Sequence, residues 1–183
     1  MDEVELGGGV ALRPLKSNDA AEVARAYARN REHLSPWEPR RAADFYTLAG
    51  QVTRVRDQLE QRAAGRLMPW LLVDGRRVVG AVNLSGITLG AFRSASLGYW
   101  MDSGYTGRGL ATSAVEVVCR VAGERLGLHR IEAGTLLHNA GSQRVLRKAG
   151  FELIGTAPRY LHIDGEWRDH LLFQRILHDR PPG

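Results

Sequence analysis

The 183-residue sequence is short of several things. It has one cysteine, Cys119, which excludes an internal disulfide and a cysteine metal cluster, so a reducing cytoplasm is the expected compartment. It has two lysines, Lys16 and Lys148, so 23 of its 25 basic side chains are arginines. These arginines are scattered, with no run beyond pairs such as Arg40-Arg41 and Arg76-Arg77, which argues against a nucleic-acid-binding face or tail. No stretch approaches the ~18 apolar residues of a membrane span; the longest runs resemble Trp70-Leu-Leu-Val73. The start, Met1-Asp-Glu-Val-Glu5, is acidic and lacks the basic and apolar regions of a secretory signal. Repeats and low-complexity linkers are missing too.

What is present is ordinary for a globular domain: 44% hydrophobic and 25% charged residues, with a net charge of +5. At about 150 residues per domain, one domain spanning 1–183 is expected, with a core over about 10–177. The modest positive field suits a polyanionic small ligand.

Along the chain, Val10 to Leu15 reads as a strand, and Pro14 suggests a sheet edge. Ser17-Asn-Asp19 offers an N-cap for a helix from Ala20 to Asn30, and His33 to Arg40, with two prolines, reads as a loop. Phe45, Leu48, Val52, Val55 and Leu59 stand at helical spacing in a helix over Phe45 to Ala64. Three strands follow, Met68–Val73, Arg77–Ile87 and Phe92–Met101, the first two joined at Asp74-Gly75. A glycine-containing loop leads into a helix over Gly109–Leu126, then a strand over His129–Leu137. Ala140–Ala149 forms a shorter helix, with Asn139 as N-cap and Gly150 at its end. Gly150–Thr156, Tyr160–Ile163 and Glu166–Ile176 complete the strands, the last two around a hairpin at Asp164-Gly165. This order predicts an α/β (α+β) protein. Its mixed, mostly antiparallel twisted sheet would have about seven strands, with helices on both faces. Trp70, Trp100 and Trp167 read as core residues, and Cys119 as a small buried hydrophobe.

The chemistry concentrates in Tyr105-Thr-Gly-Arg-Gly-Leu-Ala111, between a strand and a helix. Glycines there leave backbone N–H groups unobstructed, and the helix start adds a positive dipole end, a ready site for phosphate oxygens. Thr106 and Thr112 add hydroxyls and Arg108 a charge; an ordinary glycine turn is the alternative. One strand later comes Asn139-Ala-Gly-Ser-Gln-Arg-Val-Leu-Arg-Lys-Ala-Gly-Phe151. Together the two segments resemble the GNAT superfamily of N-acetyltransferases, whose pyrophosphate motif is Gln/Arg-x-x-Gly-x-Gly/Ala. Thr106 stands at the Gln/Arg position, while Gly109 and Ala111 match. The stretches His33-Leu-Ser-Pro-Trp-Glu-Pro39, Leu97-Gly-Tyr-Trp100 and Tyr160 to His170 are similar to the Rim-type branch, which acetylates ribosomal-protein N-termini.

The resemblance implies acetyl-CoA as co-substrate and no metal. Its acyl and pantetheine part would lie along Trp100-Met101-Asp102, with the Met101 N–H at the thioester oxygen, and its pyrophosphate on Thr106 to Thr112, including Gly107, Arg108 and Leu110. Asn139 would bond the pantetheine, and Arg144, Arg147 and Lys148 are candidates for the adenosine-end phosphates. Many GNAT enzymes protonate the leaving thiolate with a tyrosine seven residues after the motif asparagine. Here that residue is Leu146, and Ser142, three residues after Asn139, takes the role by the Rim-type resemblance. No base stands out: Arg159 and Ser96 occupy positions where relatives carry acids, leaving His138, His162, Asp164 and Glu166. His33, Trp37 and Tyr160 would line the acceptor site.

A weak base set favours an α-amine, with pKa ~8, over a lysine side chain near ~10.4. The expected acceptor is therefore a protein N-terminus of the ribosomal type. Alternatives are a small amine such as an antibiotic or polyamine, a larger acyl donor such as succinyl-CoA, and a weakly catalytic acyl-CoA sensor. A monomer or homodimer without direct nucleic-acid or membrane partners is expected.

Overall fold

The computed structural model describes residues 3–181. Met1 and Asp2 of the acidic start lie outside the described residues. One sheet of eight strands organises the chain, in the order β1-β2-β3-β4-β5-β6-β8-β7. The strands are β1 Val4–Gly7, β2 Val10–Pro14, β3 Leu67–Asp74, β4 Arg77–Thr88, β5 Ser94–Met101, β6 Arg130–Leu136, β7 Glu152–Ile163 and β8 Glu166–Ile176. Helices α1 Ala20–Arg29, α2 Arg31–Leu34, α3 Leu48–Ala63, α4 Leu110–Glu124 and α5 Ala140–Lys148 accompany them.

The eight strands of the described residues agree with the expected mixed sheet of about seven, and the strand not expected is Val4–Gly7, which turns back at Gly8-Gly9 to pair with β2. That strand also takes the edge from β2. Pro14 is tolerated inside the sheet because it stands at the end of its strand, opposite Trp70. The two late segments expected as separate strands form the single β7, interrupted by a bulge between Ala157 and Leu161. Arg159 sits in that bulge at φ +50°, its N–H donating to Asp169 Oδ1 over 2.8 Å. Both predicted hairpin turns form, at Asp74–Arg77 and Ile163–Glu166.

Alternation along the strands feeds two cores. Val10, Leu12, Leu72, Val82 and Leu84 face α4, whose Ala114, Val115, Val118 and Cys119 are buried against them. Ala11, Leu71, Val73, Ala81 and Trp100 face α1 and the start of α3. Burial pushes the Cys119 thiol up to about 11, so it packs as an inert hydrophobe. The expected stripe on α3 is only partly used. Val55 is buried, Phe45 lies in a tight turn before the helix, and Leu48 and Val52 are exposed. Trp167 departs further: it is 63% exposed, because the tip of the β7–β8 hairpin extends past the helices.

The arrangement that makes a site is the junction of β5 and β6, the sheet's one parallel pair. They pair only over Ser94–Ser96 and Arg130–Glu132. Beyond that, β5 stays bonded to β4 as far as Met101, and β6 to β8 as far as Leu136. Each strand keeps its outer partner, so a gap opens between them without fraying either.

Candidate active site

A cleft of about 680 Å³ runs through this gap, a size typical of small-molecule sites. One wall is the loop between β5 and α4. Asp102 opens it with a buried carboxylate that accepts from Arg29 Nε (2.8 Å), Asn30 Nδ2 (3.0 Å) and the Gly104 amide (3.0 Å). Burial alone would raise this acid; the hydrogen bonds from Asn30, Arg29 and Gly104 outweigh it and hold the carboxyl below its ordinary range. Asp102 itself is not among the residues that line the cleft. Its side chain turns away from the cleft and ties the loop to α1, because that is where its cations are.

After Asp102 the chain passes through Gly107 (φ +74°) and Gly109 (φ +80°), conformations that leave amides open to the cleft. Gly109 is the N-cap of α4 and has no side chain to cap with. The N–H groups of Leu110, Ala111 and Thr112 therefore begin the helix without partners among the described residues, at its positive end. Thr106 Oγ1 donates to Ser103 O (3.0 Å), and the Arg108 guanidinium lies over Tyr105 while donating to Gly104 O (2.7 Å). The donor-rich stretch from Gly107 to Thr112, which carries no acid, fits a pyrophosphate. Farther along, Arg144 and Lys148 line the same cleft. Arg147 does not: it lies off their shared helical face, with its guanidinium over Phe173.

In the middle of the cleft, β5 offers its backbone. Asp102 N–H donates to Val79 O across to β4, so by antiparallel alternation the Tyr99 and Met101 backbone groups face the gap. Opposite them, Asn139 caps α5 through Oδ1, which accepts from the Ser142 amide (3.0 Å). The Ser142 hydroxyl lies 2.7 Å from the Tyr99 hydroxyl, which also donates to Ser142 O over 3.2 Å. Burial pushes the Tyr99 phenol up to about 12, so it keeps its proton at neutral pH. Leu146 is fully buried behind this pair. The sequence reading missed Tyr99, although Leu97 and Tyr99, two apart on one strand, had to share a face. Thr135 of β6 lines the cleft as well, its buried hydroxyl unpartnered among the described residues.

At the other end the wall changes to α2 and the Pro36–Pro39 loop. His33 and Trp37 line the cleft, and Trp37 stacks on His138 with ring centroids 5.4 Å apart. Tyr160 stands just outside the lining, against the buried His170 and the face of Gly134. Of the acid–base candidates named from sequence, only His138 reaches the cleft. His162 packs on Trp167, Asp164 pairs with Arg40, and Glu166 pairs with Arg168, all at the hairpin. Glu38, which the sequence reading passed over, does line the cleft.

Residues 10–152 match the family model described as an acetyltransferase (GNAT) domain. The chain belongs to the GNAT acetyltransferases. This GNAT chain is 38% identical over 167 residues to the Bacillus subtilis protein named probable N-acetyltransferase YjcK, covering 90% of this chain and 92% of the relative. It is 34% identical over 176 residues to the Escherichia coli [ribosomal protein uS5]-alanine N-acetyltransferase, covering 95% and 91%. Its fold superposes on a Vibrio fischeri ribosomal-protein-S5-alanine acetyltransferase with a TM-score of 0.94, at 35% identity, over 99% of this chain and 100% of that one. A Mycobacterium smegmatis RimJ structure in complex with CoA-disulfide gives 0.87, at 35% identity, over 91% and 81%. As a GNAT acetyltransferase the protein uses acetyl-CoA, for which the open amides and basic side chains of the cleft are suited. Among the described residues no cluster of His, Cys, Asp or Glu is placed to hold a metal ion. No helix there is long and apolar enough to cross a membrane.

Proposed function

We propose that this GNAT enzyme acetylates the N-terminal α-amine of a ribosomal protein, with alanine first. The observation that carries the reading is the near-complete match, in sequence and fold, to enzymes named for ribosomal-protein S5 alanine. The partners are then acetyl-CoA and the acceptor chain, met by a monomer or homodimer in the cytoplasm without direct nucleic-acid contact.

The bound thioester supplies an activated acetyl carbon. The chain's residues do the rest. The amides of Leu110, Ala111 and Thr112 hold the pyrophosphate, with Arg144 and Lys148 toward the adenosine end. The Met101 N–H, facing the gap, stabilises the oxyanion developing on the thioester oxygen, a kind of contact worth ~3–4 kcal/mol elsewhere. Ser142 delivers the proton to sulfur. The Tyr99 phenol, 2.7 Å away and protonated, orients that hydroxyl.

The test is CoA release with alanine-initiated ribosomal N-terminal peptides, lysine peptides, polyamines and aminoglycosides as acceptors. Turnover is expected on the alanine peptides. Ser142→Ala should lower kcat about a hundredfold with CoA affinity unchanged. Turnover on small amines alone would replace the ribosomal acceptor by a small one, and an undiminished Ser142→Ala would remove the serine from the mechanism.

A further inference from the structure

An α-amine with pKa ~8 is mostly an ammonium ion at neutral pH and cannot attack until it loses a proton. We propose that Glu38 receives the acceptor. Its carboxylate holds the incoming ammonium beside the thioester and accepts the proton that the nitrogen sheds. This rests on the amine-acetylation reading above.

Glu38 is the one carboxylate residue among the described residues that line the cleft. It stands on the side of the sheet that Trp100 faces, across the splay from Ser142, so a nucleophile and a leaving group would be served from opposite sides. The loop that carries it is pinned. Glu38 O accepts from the Asp164 amide of the hairpin turn (3.3 Å), and neighbouring Trp37 is stacked on His138. The carboxylate is not committed to a tight ion pair: Arg41 Nε stands 3.6 Å from Oε2, too far for a good hydrogen bond. That leaves capacity for a second cation.

The charged and titratable neighbours come from every wall. Arg41 shares the loop, Arg54 comes from α3 and Tyr27 from α1, while His33 and His138 line the cleft and Arg40 lies toward the hairpin with Asp164. Burial raises the Glu38 carboxyl above its usual range, and Arg41 and Arg54 pull it back only in part. A carboxylate so tuned is a better proton acceptor than an exposed one. His33 and His138 bring no negative charge to complement an ammonium ion.

The protons balance. The ammonium gives one proton to Glu38, which passes it to solvent. The nitrogen lone pair then forms the C–N bond and the C–S bond breaks, its electron pair going to sulfur. Ser142 protonates that sulfur, and the second proton lost by nitrogen restores the serine through solvent.

The experiment compares wild type with Glu38→Gln and Glu38→Asp, using an alanine peptide and an analogue whose terminal nitrogen is a low-pKa hydrazide, neutral at pH 7. Glu38→Gln should lower kcat/KM for the peptide about a hundredfold at neutral pH, with CoA affinity unchanged. The deficit should shrink above the acceptor's own pKa and nearly vanish for the hydrazide, and Glu38→Asp should recover part of the activity. Arg41→Ala should move the acid limb of the kcat/KM profile to higher pH, since the guanidinium lowers the Glu38 carboxyl. An equal loss at every pH and for both acceptors, or no loss, overturns the proposal. A wild type that refuses alanine peptides but takes another amine removes the ribosomal reading alone, and the same comparison on that amine still decides for Glu38. A wild type inert toward all amines overturns both.

Discussion

Two helix N-termini flank the cleft, and they are finished in opposite ways. Helix α4 starts at Gly109, in a left-handed conformation and with no capping side chain. Helix α5 starts at Asn139, whose side chain accepts from the Ser142 amide. A cap contributes about 1 kcal/mol, so α4 forgoes a stabilisation that α5 keeps. The difference follows from use. In the proposed mechanism the unpaired amides of α4 hold the pyrophosphate, and a cap would occupy them. At α5 the first turn carries a hydroxyl that must stay in place against Tyr99, and the cap fixes that turn.

The open start of α4 needs support from behind, which Asp102 supplies. Asp102→Ala should therefore have the largest effect, about 3 kcal/mol of unfolding free energy in urea, because it leaves Arg29 and Asn30 without their buried partner. Next comes Gly109→Ala. At φ +80° any side chain costs about 1–2 kcal/mol, and the shifted amides should weaken CoA binding in calorimetry more than they lower stability. Asn139→Ala should cost about 1 kcal/mol in the same unfolding assay and lower kcat, with a smaller loss of CoA affinity than Gly109→Ala; equal losses of affinity in both variants would erase the contrast between the two starts. The smallest effect is a pH dependence. The Asp102 carboxyl titrates lower in the folded chain than its unfolded value of about 3.9. Its stabilisation is complete above that value and is lost as pH falls toward the folded one, so the stability gap between wild type and Asp102→Asn should narrow on acidification.

These contrasts were unevenly legible in the sequence. Features set by a few adjacent residues were readable: the Asp74-Gly75 and Asp164-Gly165 turns, the Asn139 cap, and the glycines before α4. Features set by distant packing were not. The short Val4–Gly7 strand has meaning only once it pairs with β2, and Trp167 looks like core until the hairpin is seen to overhang the helices. The three α5 cations divide by one helical step, which puts Lys148 with Arg144 on the cleft and turns Arg147 toward Phe173. Glu38 lay inside a segment quoted for its resemblance, yet a loop glutamate shows nothing until the fold sets it against the cleft.

The separation of β5 from β6 leaves a mark on solvent exchange. Along Tyr99, Trp100 and Met101, every second amide turns to β4 and the others to the open gap. The Trp100 amide proton should be slow to exchange in the free enzyme, while those of Tyr99 and Met101 exchange quickly. One strand thus carries alternating clocks, and a ligand lying along it would slow only the fast ones, so its position could be read residue by residue without an acceptor or a turnover.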